Sequence, residues 1–351
     1  MIGIGLIGCG GVAQSVHIPN LMKLQYQQRP IVELRGVVDV IKEQAEMVGR
    51  ATGTRAYPTV GAMLDDPAID AVMILTPETF HAPLAIQAAM AGRHVFMEKP
   101  IATSPSAGEE VVQRCADQSV KLMVGYMMRF DSDCNKTREL LSQGLIGQPL
   151  TCNSIYIWPI DVADYYGLIF KADSDNELAE AEEERPNVPD DEIPPGLVRD
   201  TCSHYINLLR YWFGEVKSVW ADIDEHRPFI VMRFESGLLA SHQISGVGEG
   251  TREHLITGTE GYIRTRLGYP HIPLDFGKTS FFSTRYRELR EPVFPRVNMY
   301  EAELEHFVQC ILEDQEPRSS GIDAAKDLQV MRAVYEAAAD RREVEVGSKE
   351  R

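Results

Sequence analysis

The chain has 351 residues, which is enough for two domains that each bury a core of their own. Apolar residues make up 44% and charged residues 25% of the sequence, as in soluble globular proteins, and this excludes a wholly disordered or collagen-like chain. The 52 acidic residues outnumber the 35 basic ones, so the net charge of −17 repels nucleic-acid phosphates and acidic lipid head groups. We therefore expect neither nucleic acid nor a membrane as a partner.

The first 125 residues alternate between short apolar runs and helical stretches. Strands are predicted at Ile2–Gly8, Val32–Val38, Ala71–Leu75, His94–Met97 and Lys121–Val124. Helices are predicted between them, at Val12–Leu24, Ile41–Thr52, Phe80–Ala91 and Ser106–Gln118. Apolar strands that alternate with helices form a parallel sheet covered on both faces. Residues 1–125 are therefore expected to be a doubly wound α/β domain of the Rossmann, dinucleotide-binding type.

The remainder, residues 126–351, is predicted to be an α+β substrate-binding and oligomerisation domain. Its strand-like runs are Leu150–Trp158, Val216–Asp222, Phe229–Glu235, Leu239–Ser245, His254–Thr257 and Gly261–Arg266. Its helices are predicted at Asn135–Gln143, Thr201–Phe213, Tyr300–Leu312 and Asp323–Asp340. Short linkers between strands favour an open antiparallel sheet with helices on one face. We expect the alternating Ile230, Met232 and Phe234 on the uncovered face, where a second copy would pack into a homodimer or homotetramer.

An acidic segment, residues 173–195, interrupts the second domain. Within it, residues 173–192 contain ten acids and one arginine. Such a composition cannot bury enough apolar surface to order itself. The segment is either a mobile flap beside the helix predicted at Thr201–Phe213 or a solvated insertion without a role.

The cysteines and the N-terminal residues indicate in which cellular compartment the protein is expected. The spacing of the six cysteines fits neither a zinc site nor a disulfide framework, so we expect reduced thiols and no metal. No apolar run reaches the roughly 18 residues of a membrane span, and no secretory signal opens the chain. These features predict a cytoplasmic protein. The cysteines are Cys9, Cys115, Cys134, Cys152, Cys202 and Cys310.

The sequence GCGGVA (residues 8–13) directly follows the first predicted strand and matches the pattern GxGxxG/A. Gly8 permits the tight turn, Gly10 lets a pyrophosphate approach the backbone, and Ala13 allows the helix to pack closely on the sheet. Gly11 and Val12 would begin the helix whose amide groups face the phosphates. A plain glycine-rich turn and a methyltransferase-like site are the alternatives.

Asp39 ends the second strand, VELRGVVD, where a carboxylate accepts hydrogen bonds from the ribose hydroxyls of a dinucleotide. Its negative charge would repel the 2′-phosphate of NADP, and Lys42 is the only cation near it in sequence. We therefore expect NAD rather than NADP as the cofactor. The alternative is an aspartate that merely begins a turn.

Two further segments follow strands of the predicted parallel sheet. The first, TPETFH (residues 76–81), places Thr76 and Pro77 at the end of one strand and His81 at the next helix. The second, MEKP (residues 97–100), brings Glu98 and Lys99 to the end of the following strand. Ligands bind at the carboxyl ends of such strands, so we expect these residues to contact the cofactor. A solvated lysine and a helix-capping histidine are the alternatives.

A third segment, RDTCSH (residues 199–204), precedes an amphipathic helix. Asp200 and His204 are four residues apart, so they share one face of the helix start. An N-cap aspartate and a half-buried aromatic ring are the alternatives.

Together these segments resemble the Gfo/Idh/MocA family of nicotinamide-dependent sugar oxidoreductases. The resemblance covers nearly the whole chain and also includes GYMMRFD (residues 125–131) and the closing helices. It implies that Lys99, Asp200 and His204 form the catalytic set. The residues expected to contact substrate are Lys99, Tyr126, Met128, Trp158, Asp200 and His204. Inositol-dehydrogenase-like members carry an arginine where this chain has Met128, which argues against inositol as the substrate.

The expected activity is hydride transfer between NAD and a secondary hydroxyl or keto group of a sugar, polyol or amino sugar. His204 would take the hydroxyl proton, Asp200 would hold the imidazole, and Lys99 would stabilise charge on the reacting oxygen. A non-catalytic dinucleotide-binding sensor and an NAD-dependent glycosidase that oxidises its substrate transiently are the alternatives.

Overall fold

The computed structural model of the protein describes residues 1–157, 171, 189–224, 227–245, 250–268 and 277–347. These residues form two compact units, and each is described by itself. The first unit contains Met1–Tyr126, Tyr300–Leu328 and residues 171 and 189–192, and the second contains the rest.

The first unit is built on a parallel six-stranded sheet with the strand order β3-β2-β1-β4-β5-β6. This order is that of the dinucleotide-binding fold and confirms the predicted doubly wound domain. The strand register runs from Ile2 opposite Val32 to Glu98 opposite Gly125. The strands are β1 (Ile2–Ile7), β2 (Val32–Val38), β3 (Arg55–Ala56), β4 (Ala71–Ile74), β5 (His94–Glu98) and β6 (Leu122–Gly125).

Polar side chains cap the starts of α3 and α5 in this unit. Thr59 accepts a hydrogen bond from the Ala62 amide at the start of α3, and Ser104 accepts one from Ala107 at the start of α5. A π-helical turn, Ala13–His17, leads directly into α1 and is not apparent from the sequence. The helices are α1 (Ile18–Gln25), α2 (Lys42–Thr52), α3 (Val60–Leu64), α4 (His81–Met90) and α5 (Pro105–Asp117).

The first unit also holds a segment from near the end of the chain, Tyr300–Leu328, which lies beyond the predicted domain 1–125. The ring of Phe307 packs edge-on against Phe96 of β5 at a centroid distance of 5.7 Å. The Val124 amide of β6 donates to the carbonyl of Ser319 over 2.9 Å. Burial of these apolar side chains accounts for the return of the chain to the first sheet. The proposed domain boundaries themselves stay a prediction.

The second unit is built on a nine-stranded open sheet with the order β14-β13-β12-β11-β7-β10-β9-β8-β15. Its neighbours are antiparallel except for β7 and β10, which run parallel, so the sheet is mixed rather than purely antiparallel as predicted. The strands named in the prediction are β7 (Pro149–Ile157), β8 (Val216–Asp222), β9 (Phe229–Phe234), β10 (Leu239–Ser245), β11 (Thr251–Gly258) and β12 (Gly261–Arg266). The additional strands are β13 (Lys278–Ser283), β14 (Glu288–Arg290) and β15 (Val344–Glu345).

Among the helices of the second unit, α6 (Ser132–Ser142) begins at Asp131, whose carboxylate accepts from the Cys134 amide. A π-helical turn, Val198–Cys202, leads into α7 (Ser203–Phe213), which lies close to the predicted helix 201–213. Near the end of the chain, α8 (Met299–Leu312) lies almost entirely in the first unit. The last helix, α9 (Gly321–Asp340), begins in the first unit and ends in the second, where β15 follows it.

The two faces of the second sheet differ from the expectation for β9. Ile230, Met232 and Phe234, predicted on the uncovered face, are buried. The opposite face of the sheet instead carries exposed apolar side chains. These include Phe229 on β9, Trp220 on β8 and Leu239 on β10, each 37–39% exposed. Strand alternation shows which side chains share a face but not which face is covered, and this explains the error.

Most of the acidic segment, residues 173–188, lies outside the described residues, as does Trp158. Its final residues are described, and the Asp191 carboxylate accepts hydrogen bonds from the amide and hydroxyl of Ser106 over 2.9 and 2.6 Å. This contact anchors the end of the segment at the first turn of α5. Whether the segment acts as a flap is not tested.

All six cysteines are free and buried, as the spacing predicts. Burial raises the pKa of the Cys115 thiol to about 12, so this thiol stays protonated at neutral pH. Among the described helices, none has both the length and the apolar content that crossing a bilayer requires.

Two buried histidines of the second sheet lie on the strands that flank β7. His242 of β10 and His254 of β11 are both in register with Ser154 of β7, and both rings are inaccessible to solvent. The Ser154 hydroxyl lies 2.8 Å from Nδ1 of His242, whereas neither ring nitrogen of His254 has a hydrogen-bond partner among the described residues. Burial lowers the pKa of each ring to about 3. Both histidines are therefore neutral in the folded protein.

These histidines predict an acid-sensitive fold. Between pH 3 and 6.5 the unfolded chain binds protons that the folded chain excludes, so stability is present above pH 6.5 and falls as the pH drops. The free energy of unfolding should fall between pH 7 and pH 5 in the unmodified protein. In His254→Leu, which lacks one of the two rings, this fall should be smaller by about 1–2 kcal/mol. Urea unfolding of both proteins at several pH values measures this difference. Parallel pH profiles would contradict the prediction.

Candidate cofactor site and catalytic residues

The glycine turn after β1 has the geometry that a phosphate-binding turn requires. Gly8 has a φ of 95°, and a Cβ atom there would lie 2.7 Å from the carbonyl oxygen of Leu75, so only glycine fits. Gly10 differs because a Cβ atom on it would meet no atom within 4 Å. The backbone at Gly10 therefore borders an open cradle into which a phosphate fits.

Asp39 is fixed against this turn. Its Oδ2 accepts the amide of Cys9 over 2.6 Å, and its Oδ1 accepts the amide of Ile41 over 2.9 Å. Burial raises the pKa of the Asp39 carboxyl, and these two amide donors oppose the rise. Each carboxylate oxygen has a second lone pair, so the group can still accept hydrogen bonds from ribose hydroxyls.

The glycine turn is held from the other side by two glutamines. The side-chain amide groups of Gln14 and Gln44 donate to the carbonyl of Cys9 over 2.8 and 3.4 Å. Since Gln44 lies in α2, these bonds join α2 to the turn. Neither glutamine was predicted from the sequence. Their role depends on contact with a backbone carbonyl, and the glycine motif does not specify that contact.

A cavity of about 570 Å³ opens beside this turn, within the usual size range for ligand sites. Its walls are mostly apolar, and Asp39 supplies the one carboxylate among its lining residues. An apolar cavity next to a carboxylate and a phosphate cradle fits the adenosine and pyrophosphate groups of a dinucleotide. The lining residues are Ile7, Gly8, Gly10, Val38, Asp39, Val40, Ile41, Gln44, Pro58, Thr59, Val60, Leu75, Thr76, Pro77, Phe80 and Leu84.

The predicted cofactor residues divide into two groups. Gly8, Gly10, Asp39, Thr76 and Pro77 line the cavity. Among the described residues, six others that were expected to bind the cofactor do not line it, and their cofactor contacts stay a prediction. These six are Gly11, Val12, Ala13, His81, Glu98 and Lys99.

The cavity predicts a preference for NADH over NADPH. The 2′-phosphate of NADPH would face the Asp39 carboxylate, and no lysine or arginine is among the lining residues. We expect NADPH to bind about 100-fold more weakly, equivalent to about 2.7 kcal/mol. Titration of intrinsic fluorescence with each nucleotide measures the two Kd values. Asp39→Asn should decrease the ratio of the Kd for NADPH to the Kd for NADH. Equal or tighter NADPH binding would contradict the prediction.

His81 connects the two ligand-facing segments of the first unit. Its ring is almost completely buried, with Nδ1 2.7 Å from the carbonyl oxygen of Pro100 and Nε2 2.9 Å from that of Thr76. Burial lowers the pKa of the ring, and the two carbonyl oxygens oppose this. His81 therefore ties the end of β4 to the segment after β5, and its predicted contact with the cofactor stays a prediction.

Lys99 follows the last residue of β5, and the peptide bond to Pro100 is cis. The Lys99 amide donates to Oε2 of Glu98 over 3.2 Å, and Oε1 of the same carboxylate lies 2.8 Å from Nε2 of His17. His17 was not predicted. The available signal was a lone histidine one turn after the glycine motif.

Asp200 and His204 lie together in the second unit, at the junction of a π-helical turn with α7. Asp200 is exposed and His204 is half-buried, so both remain accessible. Local hydrogen bonds hold this junction, because the Asp200 amide donates to the Gly196 carbonyl and the Ser203 hydroxyl donates to the Asp200 carbonyl. π-Helical turns are frequent at functional sites. The structure thus groups this pair in one unit and Lys99 with the glycine turn in the other.

Two of the predicted substrate residues are buried. Tyr126 is 1% exposed and Met128 is 4% exposed. Next to Met128, the Arg129 guanidinium is also buried and donates through Nε to the Asn207 side chain over 2.6 Å. Arg129 therefore fixes α7 in place, and the substrate contacts of Tyr126 and Met128 stay a prediction.

A six-stranded parallel sheet with a cavity of a size that suits part of a dinucleotide, in one chain with an open-sheet unit, defines a dinucleotide-binding protein. The family of oxidoreductases with an NAD-binding Rossmann fold matches residues 2–126, and its C-terminal α/β domain matches residues 138–346. The chain belongs to this family, the Gfo/Idh/MocA oxidoreductases, as its motifs indicated.

Curated relatives resemble the chain over much of its length. The scyllo-inositol 2-dehydrogenase (NAD(+)) of Bacillus subtilis is 28% identical, with 94% of this chain and 90% of the relative aligned. The D-xylose 1-dehydrogenase [NADP(+)] of Haloarcula marismortui is 27% identical over 77% of this chain and 72% of the relative. Both cofactors occur among these relatives, so the choice between them depends on this chain's own cavity.

A solved structure supports the fold. Levoglucosan dehydrogenase, in complex with NADH and levoglucosan, matches with a TM-score of 0.81 over 99% of this chain and all of that one. Its sequence identity is 19%, so the likeness concerns the fold alone.

Proposed function

We propose that the protein is an NAD-dependent dehydrogenase that acts on a secondary hydroxyl or keto group of a sugar, polyol or amino sugar. The observation that carries the proposal is the Asp200–His204 pair at one helix start, in a chain that also holds the NAD cavity and Lys99 after β5. The names of the relatives, which include inositol and xylose dehydrogenases, support a sugar-like substrate. Membership of an oxidoreductase family argues against a purely sensory role.

The side chains divide the proton chemistry between them. When bound, NAD accepts or donates the hydride. His204 takes the proton of the substrate hydroxyl, since a histidine titrates near neutral pH. Asp200 holds the imidazole and stabilises its charged form. Lys99 donates a hydrogen bond to the reacting oxygen and stabilises the negative charge that develops there.

The activity is tested by offering sugars, inositols and amino sugars to the protein with NAD. Thermal shifts in the presence of NAD identify candidate ligands, and absorbance of NADH then reports net oxidation. Net NADH formation with at least one of them is the expected result. Release of an aglycone without net NADH would favour a glycosidase that oxidises its substrate transiently, and binding with neither reaction would contradict the proposal.

We also propose that the protein is a cytoplasmic homodimer or homotetramer whose subunits pack through the open face of the second sheet. Trp220 and Phe229 lie edge-on to one another on this face, with ring centroids 6.4 Å apart. Exposed aromatic and aliphatic side chains of this kind favour contact with a second copy. Six free, buried cysteines support a reducing compartment.

The oligomer is tested by analytical ultracentrifugation at micromolar concentration. We expect a species of at least twice the 39.3 kDa of the chain. Phe229→Asp should shift the protein toward the monomer, because a charge in a packed interface is costly. The matched variant Arg227→Asp, which changes an exposed charged residue just before the strand, should not. A monomer at all concentrations would contradict the proposal.

A further inference from the structure

His17 is held in a single orientation at the end of the turn that follows the glycine motif. Its ring is fully buried. It lies edge-on against Phe96, with centroids 5.5 Å apart, and against Tyr300, with centroids 6.1 Å apart. Packing on two sides leaves the imidazole little freedom to rotate. The ring is joined to the phosphate-binding turn by the π-helical turn Ala13–His17, which directly follows the glycine motif.

The opposite end of the connection is Lys99. His17 Nε2 donates to Oε1 of Glu98 over 2.8 Å, and the Lys99 amide donates to Oε2 of Glu98 over 3.2 Å. One carboxylate thus receives a donor from the π-helical turn that follows the glycine motif and a donor from the lysine backbone. Hydrogen bonds to a charged acceptor are stronger than neutral ones, which makes this connection stiff.

A second acidic residue, Glu303, lies close enough to Glu98 for the two to interact electrostatically. Glu303 of α8 is fully buried, and neither of its carboxylate oxygens has a hydrogen-bond partner among the described residues. Burial, followed by repulsion from Glu98, raises the pKa of Glu303 well above its usual value. Burial therefore favours the neutral form of Glu303, and both the His17 ring and the Lys99 amide donate to Glu98. The burial of Glu303 could have been inferred from the sequence, because Glu303 lies on the same face of α8 as the apolar residues Tyr300 and Phe307.

We propose that His17 is a positioning residue that couples the phosphate-binding turn to Lys99 through Glu98, so that filling the adenosine diphosphate half of the cofactor site orders the lysine. The proposal rests on the proposed function only in that it takes Lys99 as catalytic. The coupling itself requires no substrate. It gives the enzyme a way to order its lysine only when the cofactor is present.

The coupling is measured with ADP, which has the adenosine and pyrophosphate groups of NAD but neither its second ribose nor its nicotinamide ring. Hydrogen exchange of the peptide that contains Lys99 is followed by mass spectrometry with and without this ligand. Slower exchange there then cannot come from contact with the nicotinamide or its ribose and is transmitted through the protein. We expect ADP to slow this exchange about 5-fold in the unmodified protein.

Four variants separate coupling from packing. His17→Phe keeps an aromatic ring but removes the donor, and it should abolish the slowing while the Kd for ADP changes by less than about 3-fold. His17→Gln restores a donor and should restore part of the slowing. Glu98→Gln is the second route if His17→Phe does not fold, and it should also reduce the slowing. His94→Phe is the matched control, because His94 begins the same strand and accepts the Lys121 amide at its far end.

Loss of the slowing in His17→Phe and Glu98→Gln but not in His94→Phe supports the proposal. Unchanged slowing in His17→Phe or Glu98→Gln, or equal loss in His94→Phe, would overturn it. A turnover assay keeps the two proposals apart. If Lys99→Ala is inactive and the coupling is absent, only the positioning role fails. If Lys99→Ala is fully active, the proposed catalytic role of Lys99 fails, whatever the exchange data show.

Discussion

Lys99→Ala should lower kcat by about 100-fold or more, because the variant lacks the donor that stabilises charge on the reacting oxygen. Its Kd for NADH should change little, since Lys99 does not line the adenosine cavity among the described residues. His204→Ala should lower kcat by a similar factor of about 100 through loss of the proton acceptor. Steady-state kinetics and NADH titration measure both effects.

The matched control for the lysine is Lys121→Ala. Lys121 lies in the same unit, just before β6, where it forms an ion pair with Asp314 over 2.8 Å. This variant should keep the turnover of the unmodified protein. Near-normal turnover in His204→Ala combined with an early thermal transition would show that the imidazole serves packing, and the catalytic assignment would then be wrong.

Gly10→Ala should weaken NADH binding by at least about 10-fold without destabilising the fold, equivalent to about 1.4 kcal/mol of binding energy. A methyl group on Gly10 meets no protein atom within 4 Å, so it projects into the space that a phosphate must enter. The free energy of unfolding without ligand should change by less than about 0.5 kcal/mol, as for other exposed sites. Calorimetric titration with NADH and urea unfolding measure the two quantities.

Two further glycines provide the comparison. Gly61→Ala also adds a methyl group that meets only Thr59 Oγ1, at 3.9 Å, so it should leave NADH binding nearly unchanged. It should raise stability by up to about 1 kcal/mol, because alanine is favoured over glycine within a helix. Gly8→Ala should instead lower stability by about 1–3 kcal/mol, because it places a side chain at positive φ. If Gly10→Ala binds NADH normally, the phosphate does not occupy this cradle and the cofactor assignment must be revised.

The first unit and its cofactor residues were largely predictable from the sequence. Alternating strands and helices are local patterns, and the glycine motif adds a local steric requirement at Gly8. Asp39 could be placed because the end of a parallel strand always faces the ligand edge of the sheet. In the second unit, Asp200 and His204 are one helical turn apart, so their proximity also follows from local geometry.

Other features depended on contacts between residues far apart in the chain. His17 and Glu98 are separated by 81 positions, and no spacing rule joins them. The parallel pairing of β7 with β10, the burial of Ile230 and the packing of Phe307 on Phe96 are likewise long-range choices.

Local sequence thus determined the fold class and the cofactor turn, because backbone periodicity and steric demand act over a few residues, whereas the catalytic set was implied by the family resemblance and stays a prediction. Tertiary structure alone decided which face of the second sheet is covered, which unit holds Tyr300–Leu328, and how the cofactor turn is joined to Lys99. These outcomes depend on which apolar surfaces are buried together and which buried polar groups find a partner. Both are properties of the whole folded chain rather than of any one segment.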